Sequence, residues 1–289
     1  MAGFGSSWTF AKKRRSAITS KKNLINMITF KPINNGKRWA GADWSIVDEK
    51  KLAVLIARVA VGQYRHVLQV LKETDCIEYA PIKSTQEGAI KLLTAQDPKK
   101  PWHRDGWMFQ VMAWIAANIQ DPKSLKAPPQ MIHAHKGFDG IHLCMDESNK
   151  NVVSVIVCEE KATKSPRGKI TSQVWPEFRA LEAGTRDNEL VSDVATILSQ
   201  NGHIDTDSAV NKILWEKARA YRISITIGDN ECSEKGRNDL FKGFKKVAPG
   251  DNVEKRRAET FYQSNLRAWM KKMAKRAIAA VKEMEVEDV

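Results

Sequence analysis

Two segments, F-D-G-I-H-L-C-M-D (Phe138 to Asp146) and V-V-S-V-I-V-C-E-E-K (Val152 to Lys161), flank the polar stretch E-S-N-K-N and constrain this chain more than any other feature. Apolar, β-branched runs on either side of a short polar turn predict a β-hairpin. A turn centred on Asn149 fixes the register, pairing Leu143 with Val155, Ile141 with Val157 and Asp139 with Glu159. Directly opposed residues hold their Cβ atoms roughly 4.5–5.5 Å apart on one face. The two-residue period then puts Lys161 on the face of Glu159 and Glu160 on the other, where a structural or outward-facing role is expected. Two carboxylates and an ammonium therefore meet where two apolar strands end.

Adjacent like charges are destabilising unless a positive group neutralises them. A divalent cation does so, and hard oxygen donors suit Mg²⁺ (or Mn²⁺), which accepts phosphate oxygens as further ligands. Lys161 beside such an ion can orient or help deprotonate an attacking water, or stabilise charge developing on a phosphorane. An E-x-K at a strand end is common by chance. The alternative is a surface hairpin whose Glu159 and Lys161 simply face solvent.

The rest of the chain predicts alternating helices and strands. A strand is expected over Leu24 to Pro32 and a helix over Ser45 to Lys72, capped by Ser45 and interrupted at Gly62. Helices follow at Thr85 to Thr94 and Trp107 to Ile119, the second apolar nearly all round and therefore central in the fold. Met131 to His135 reads as a strand. Ser172 to Ala183, Glu189 to Leu198 and Ala209 to Tyr221 read as helices, Ile223 to Ile227 as a strand, and Thr260 to Glu283 as a long closing helix. The expected class is α/β with a mixed sheet flanked by helices, as a single domain over residues 24–289 behind a basic arm at 1–23.

Charge narrows the partner. The formal net charge is +13, and the first 40 residues carry nine Lys or Arg and no acid. An excess of this size commonly serves an anionic partner, nucleic acid before membrane surface. The closing helix adds Lys271, Lys272, Lys275 and Arg276, which suit DNA phosphates or an acidic partner as readily as a solvated face. Cys76, Cys144, Cys158 and Cys232 show no CxxC spacing, and no apolar run approaches the roughly 18 residues of a membrane span. A reduced, cytoplasmic chain is expected. His133, His135, His142 and Cys144 share strand faces in pairs, but their spacing fits no usual zinc pattern.

The Asp139, Glu159-x-Lys161 constellation resembles the PD-(D/E)xK nuclease superfamily. The resemblance implies that Asp139 and Glu159 ligate Mg²⁺ together with the backbone carbonyl of Glu160, that Lys161 is the catalytic lysine, and that the catalytic core spans about 102–186. Phe138 stands where the superfamily's name has proline. It also implies a polar site residue on the helix after the E-x-K strand, here Gln173 with Glu177 one turn later, and a supporting ligand on the first core helix, Asp105 or Gln110. The segments Gly106 to Ala116, Gly137 to Gly140, Glu159 to Lys161, Trp175 to Phe178 (W-P-E-F), Leu240 to Phe244 (L-F-K-G-F) and Leu266 to Met270 are similar to the HamA family, the nuclease subunits of Hachiman anti-phage defence. That implies a bacterial effector that cleaves DNA and is held by an SF2-type helicase. Two rivals stand beside it: a nuclease acting on RNA, and a non-catalytic nucleic-acid-binding or scaffold subunit with a nuclease-like fold.

Overall fold

The computed structural model describes residues 27–74, 79–134, 136–200, 205–214 and 218–286. The expected basic arm, Cys76, His135 and Trp215 lie outside the described residues.

Strand β1 (Ile28–Asn34) turns back into β2 (Ala40–Ile46), a strand that the sequence did not predict. Ser45, expected as a helix cap, sits within β2; the cap of α1 (Glu49–Ala60) is Asp48, whose carboxylate accepts from the N–H groups of Lys50 and Lys51 at 3.1 and 3.0 Å. A cap needs extended backbone and a side-chain oxygen facing the free N–H groups, and Asp48 supplies both. Gly62, at φ +86°, ends α1 and separates it from α2 (Tyr64–Leu71). Helices α3 (Lys83–Leu93) and α4 (Trp102–Gln120) follow. The expected strand over Met131 to His135 is absent among the described residues. There the chain forms turns with Ala134 at φ +53°, anchored by His133 Nε2 to the Leu92 carbonyl at 2.8 Å. A two-residue strand β3 (Leu125–Lys126) lies just upstream.

The predicted hairpin is β4 (Gly140–Met145) and β5 (Val152–Lys161). Then come α5 (Pro166–Lys169), a π-helical turn at Ile170–Val174, α6 (Trp175–Glu182), α7 (Asp187–Ser199) and α8 (Thr206–Leu214). Strand β6 (Arg219–Ile227) starts inside the expected Ala209 to Tyr221 helix. After α9 (Glu234–Leu240) and α10 (Phe244–Val247), β7 (Arg256–Tyr262) takes the first residues of the expected closing helix, which itself is α11 (Leu266–Lys282). Both corrections have one cause. Arg222 and Glu259 interrupt the apolar pattern of β6 and β7, yet both are buried and paired with each other.

The seven strands form one mixed sheet in the order β1-β2-β7-β6-β5-β4-β3. Strands β2, β7, β6 and β5 run parallel, β1 and β4 run against them, and β3 runs against β4. One face packs on α1, α2, α3, α4 and α11 through Trp44, Phe109 and Phe261; the other packs on α6 to α10 through Val157, Phe178 and Tyr221. Sandwiched helix α4 is buried nearly all round, as its composition predicts, and central β6 is buried along its whole length. No helix among the described residues is long and apolar enough to cross a membrane.

Candidate active site

The hairpin adopts the register expected from its turn, with Ile141 opposite Val157 and Leu143 opposite Val155. Asn149 takes φ +56°, a left-handed conformation that asparagine tolerates. The Asp146 carboxylate closes the turn, accepting from Lys150 N at 3.0 Å and from Asn151 Nδ2 at 2.7 Å. The ladder stops at Gly140–Cys158, so Asp139 joins the site through its side chain rather than as a strand pair.

That side chain is the hub. Asp139 Oδ2 accepts from the backbone N–H of Glu160 at 2.8 Å and from Lys161 Nζ. Its Oδ1 accepts from Gln110 Nε2 on α4 at 2.5 Å. Lys161 Nζ also reaches Glu159 Oε2 at 2.6 Å, so one ammonium bridges both carboxylates. Side-chain exposures of 20% for Lys161 and 13% for Asp139, against 6% for Glu159, leave the lysine edge open to a ligand.

Electrostatics follow from this crowding. Burial and then the Asp139 charge push the Glu159 carboxyl up to about 7, with Lys161 only partly offsetting them. Burial opposes the charged form of Lys161, but Asp139 and Glu159 more than reverse it and raise its pKa. The site holds more negative charge than one ammonium neutralises.

Glu160 does lie on the other face, but that face is interior. Its carboxyl is buried, 3.9 Å from Arg222, and Oε2 has no hydrogen-bond partner among the described residues. Burial and the nearby Asp139 charge push it up to about 8. Arg222 is bonded to Glu259, which also accepts from Trp44 Nε1 at 2.8 Å, and it donates to the Ala113 carbonyl of α4 at 3.4 Å. Cys158 Sγ lies 3.5 Å from His142 Nε2 on the same interior face. A buried polar layer thus runs directly beneath the site.

Of the two residues expected to support the site from α4, Gln110 reaches it. Asp105 does not: it is fully buried and bonded to Arg104 and Arg267. Gln173 is exposed on the π-helical turn and makes no hydrogen bond to Asp139, Glu159 or Lys161 among the described residues. Glu177, one turn later, is close enough for its charge to raise the Glu159 pKa. Arg186 pairs with Glu177 and lies 4.2 Å above the ring of Phe138, the residue before Asp139. Nothing in the sequence singled out Arg186, since the loop between α6 and α7 carries no motif. His133 and His142 are engaged separately, and no group of three His, Cys, Asp or Glu side chains arranged to hold a metal occurs among the described residues. No protein-family model and no curated protein matches the chain, so the chemistry assigned to the site rests on the residues and contacts just described.

Proposed function

We propose that this chain is a Mg²⁺-dependent (or Mn²⁺-dependent) nuclease of the PD-(D/E)xK type that hydrolyses DNA phosphodiester bonds. The observation that carries the reading is the convergence of Asp139, Glu159 and Lys161 at the open end of the β4–β5 hairpin. The donors fit a hard cation. Asp139 and Glu159 offer carboxylate oxygens, and extended backbone sends the N–H and C=O of Glu160 to the same edge, toward Asp139. The raised pKa of Glu159 marks an electrostatic demand that a divalent ion relieves. When bound, such an ion polarises a phosphoryl oxygen and makes its coordinated water more acidic.

The chain's own residues do the positioning. Gln110 and the Glu160 N–H fix both oxygens of Asp139. Lys161, held protonated by its two carboxylates, is suited to donate to a non-bridging phosphoryl oxygen and stabilise developing charge. The net charge of +13 supports nucleic acid as substrate. The resemblance of Gly106 to Ala116, W-P-E-F and L-F-K-G-F to HamA supports an anti-phage defence effector with a helicase partner.

A second reading has one observation in its favour. Lys161 already bridges both acids, as a built-in counter-ion would in a scaffold subunit that binds nucleic acid without cleaving it. Incubating the full chain with duplex DNA, single-stranded DNA and RNA, with and without Mg²⁺ and with and without an SF2-type helicase, separates the readings. Mg²⁺-dependent DNA cleavage lost in Glu159→Gln is expected; wild-type cleavage by that variant would falsify the assignment.

A further inference from the structure

The aromatic residues of two sequence motifs, W-P-E-F and L-F-K-G-F, play no part in the site above, yet they pack on each other. Trp175 and Phe244 have ring centroids 4.9 Å apart, and Phe178 stacks on Phe244 at 6.1 Å. They back a cavity of about 520 Å³ between the β1–β2 turn and the α9–α10 loop. Its floor is built by Trp39, Phe241 and Phe244, each only 1–2% exposed, and its rim carries Arg38, Lys242 and Lys246 beside one exposed acid, Asp239. All three rim cations are exposed and make no ion pair among the described residues. Lys245 adds a fourth charge, paired at 3.4 Å only with the fully exposed Asp251.

The walls are rigidly held. The buried guanidinium of Arg256 donates to the carbonyls of Lys37 and Arg38 on one side, at 3.0 and 2.5 Å, and of Ala248 and Gly250 on the other, both at 3.0 Å. Arg167, six residues beyond Lys161, donates to the Leu240 and Lys242 carbonyls at 2.7 and 2.9 Å, tying this loop to the helix that leaves the candidate active site. Gly243 adopts φ +98°, and a Cβ there would have Trp175 Nε1 as its nearest neighbour, at 3.8 Å. That indole is 3% exposed, and its N–H has no hydrogen-bond partner among the described residues.

We propose that this cleft binds a segment of nucleic-acid strand away from the catalytic centre, with its phosphates on Arg38, Lys242 and Lys246. Charge complementarity selects the occupant: three cations without an ion pair among the described residues outnumber the single rim acid around a cavity within the roughly 300–1,000 Å³ range of ligand sites. The proposal rests on the nucleic-acid reading of the chain for its substrate class, not on the cleavage chemistry.

The test is binding of the full chain to a fluorescein-labelled single-stranded DNA of about 20 nucleotides in EDTA, followed by anisotropy across a salt series. The double variant Lys242→Glu/Lys246→Glu is expected to lose at least about tenfold in affinity, with a clearly shallower salt dependence. A control carrying the same charge change on α3, at the exposed Lys83→Glu/Lys91→Glu, is expected to lose less than about threefold. Equal losses in both variants would reduce the effect to net charge and overturn the proposal, as would unchanged binding in the first. Binding of a free 5′-mononucleotide at the cleft without binding of the oligonucleotide overturns it too. Cleavage is scored separately with Glu159→Gln, so failure of the catalytic reading leaves a distinct signature.

Discussion

Glu159 carries opposing demands in one carboxyl group. Its pKa of about 7 in the folded chain stands above its ordinary 4.5. A carboxyl shifted upward favours folding only while protonated: its contribution is fully present below about pH 4.5 and lost as pH rises through about 7. Without metal, Glu159→Gln should therefore stabilise the protein at pH 8 by on the order of 1–3 kcal/mol relative to wild type, and much less at pH 5. Thermal melts in EDTA at both pH values check this, and a gain of equal size at the two would refute it. Added Mg²⁺ should correspondingly raise the wild-type melting temperature more at pH 8 than at pH 6, because the ion binds the ionised carboxylates. No difference between the two pH values would count against the donor set. Gln110 touches no ligand in this scheme but orients Asp139. Gln110→Ala should lower cleavage by about 10–100-fold, as loss of a group that positions a metal ligand does, and more Mg²⁺ should recover part of it. A loss that added Mg²⁺ leaves unchanged would argue against positioning.

Among the elements, the hairpin was legible because everything that sets its register is local: a polar turn, alternating apolar residues and a side chain that tolerates φ +56° at Asn149. Strand β2 was missed although Ala40, Ala42, Trp44 and Ile46 alternate with Gly41, Asp43 and Ser45, because alanine, glycine and aspartate are weak strand formers and β1 and β7 on either side hold it in the sheet. Its Gly41 records how close that pairing is, since a Cβ there would overlap the Ala258 carbonyl oxygen of β7. Gly41→Ala should cost about 1–3 kcal/mol through forced separation of the strands. The midpoint of urea unfolding measures it, and an unshifted midpoint would show that the pair can relax. The π-helical turn at Ile170–Val174 is a second feature invisible to a helical period, and it lies between the E-x-K strand and Glu177.

For the molecule as a whole, the buried layer under the site joins elements from both ends of the chain. Arg222 of β6 contacts Glu259 of β7, Glu160 of β5 and the Ala113 carbonyl of α4, while Trp44 of β2 shares Glu259. Removing the cation alone leaves two acids buried without compensation. Arg222→Met should destabilise by about 3–5 kcal/mol, and Arg222→Met/Glu160→Gln/Glu259→Gln should recover most of that. Denaturation of the two variants side by side decides it; a triple variant no more stable than the single one would mean that packing, not charge, is what Arg222 supplies.

Sequence by itself determined the class of fold, the hairpin and its register, the central helix α4, and the three residues that meet at the strand ends. All of these rest on periodicities and turn chemistry that act within a few residues. The tertiary structure decided the rest. It sorted Gln110 from Asp105, which lie five residues and so roughly 140° apart around α4: Gln110 faces Asp139, while packing against α11 gives Asp105 to Arg267. It decided between a structural and an outward-facing role for Glu160 in favour of a buried one, because α4 packs on that face of the sheet. It also made strands of Arg219 to Tyr221 and Thr260 to Tyr262, where long-range partners accept charged and polar side chains that a local pattern reads as solvent-facing. Partners far apart in the chain leave no periodic trace, so only the folded sheet brings them into view.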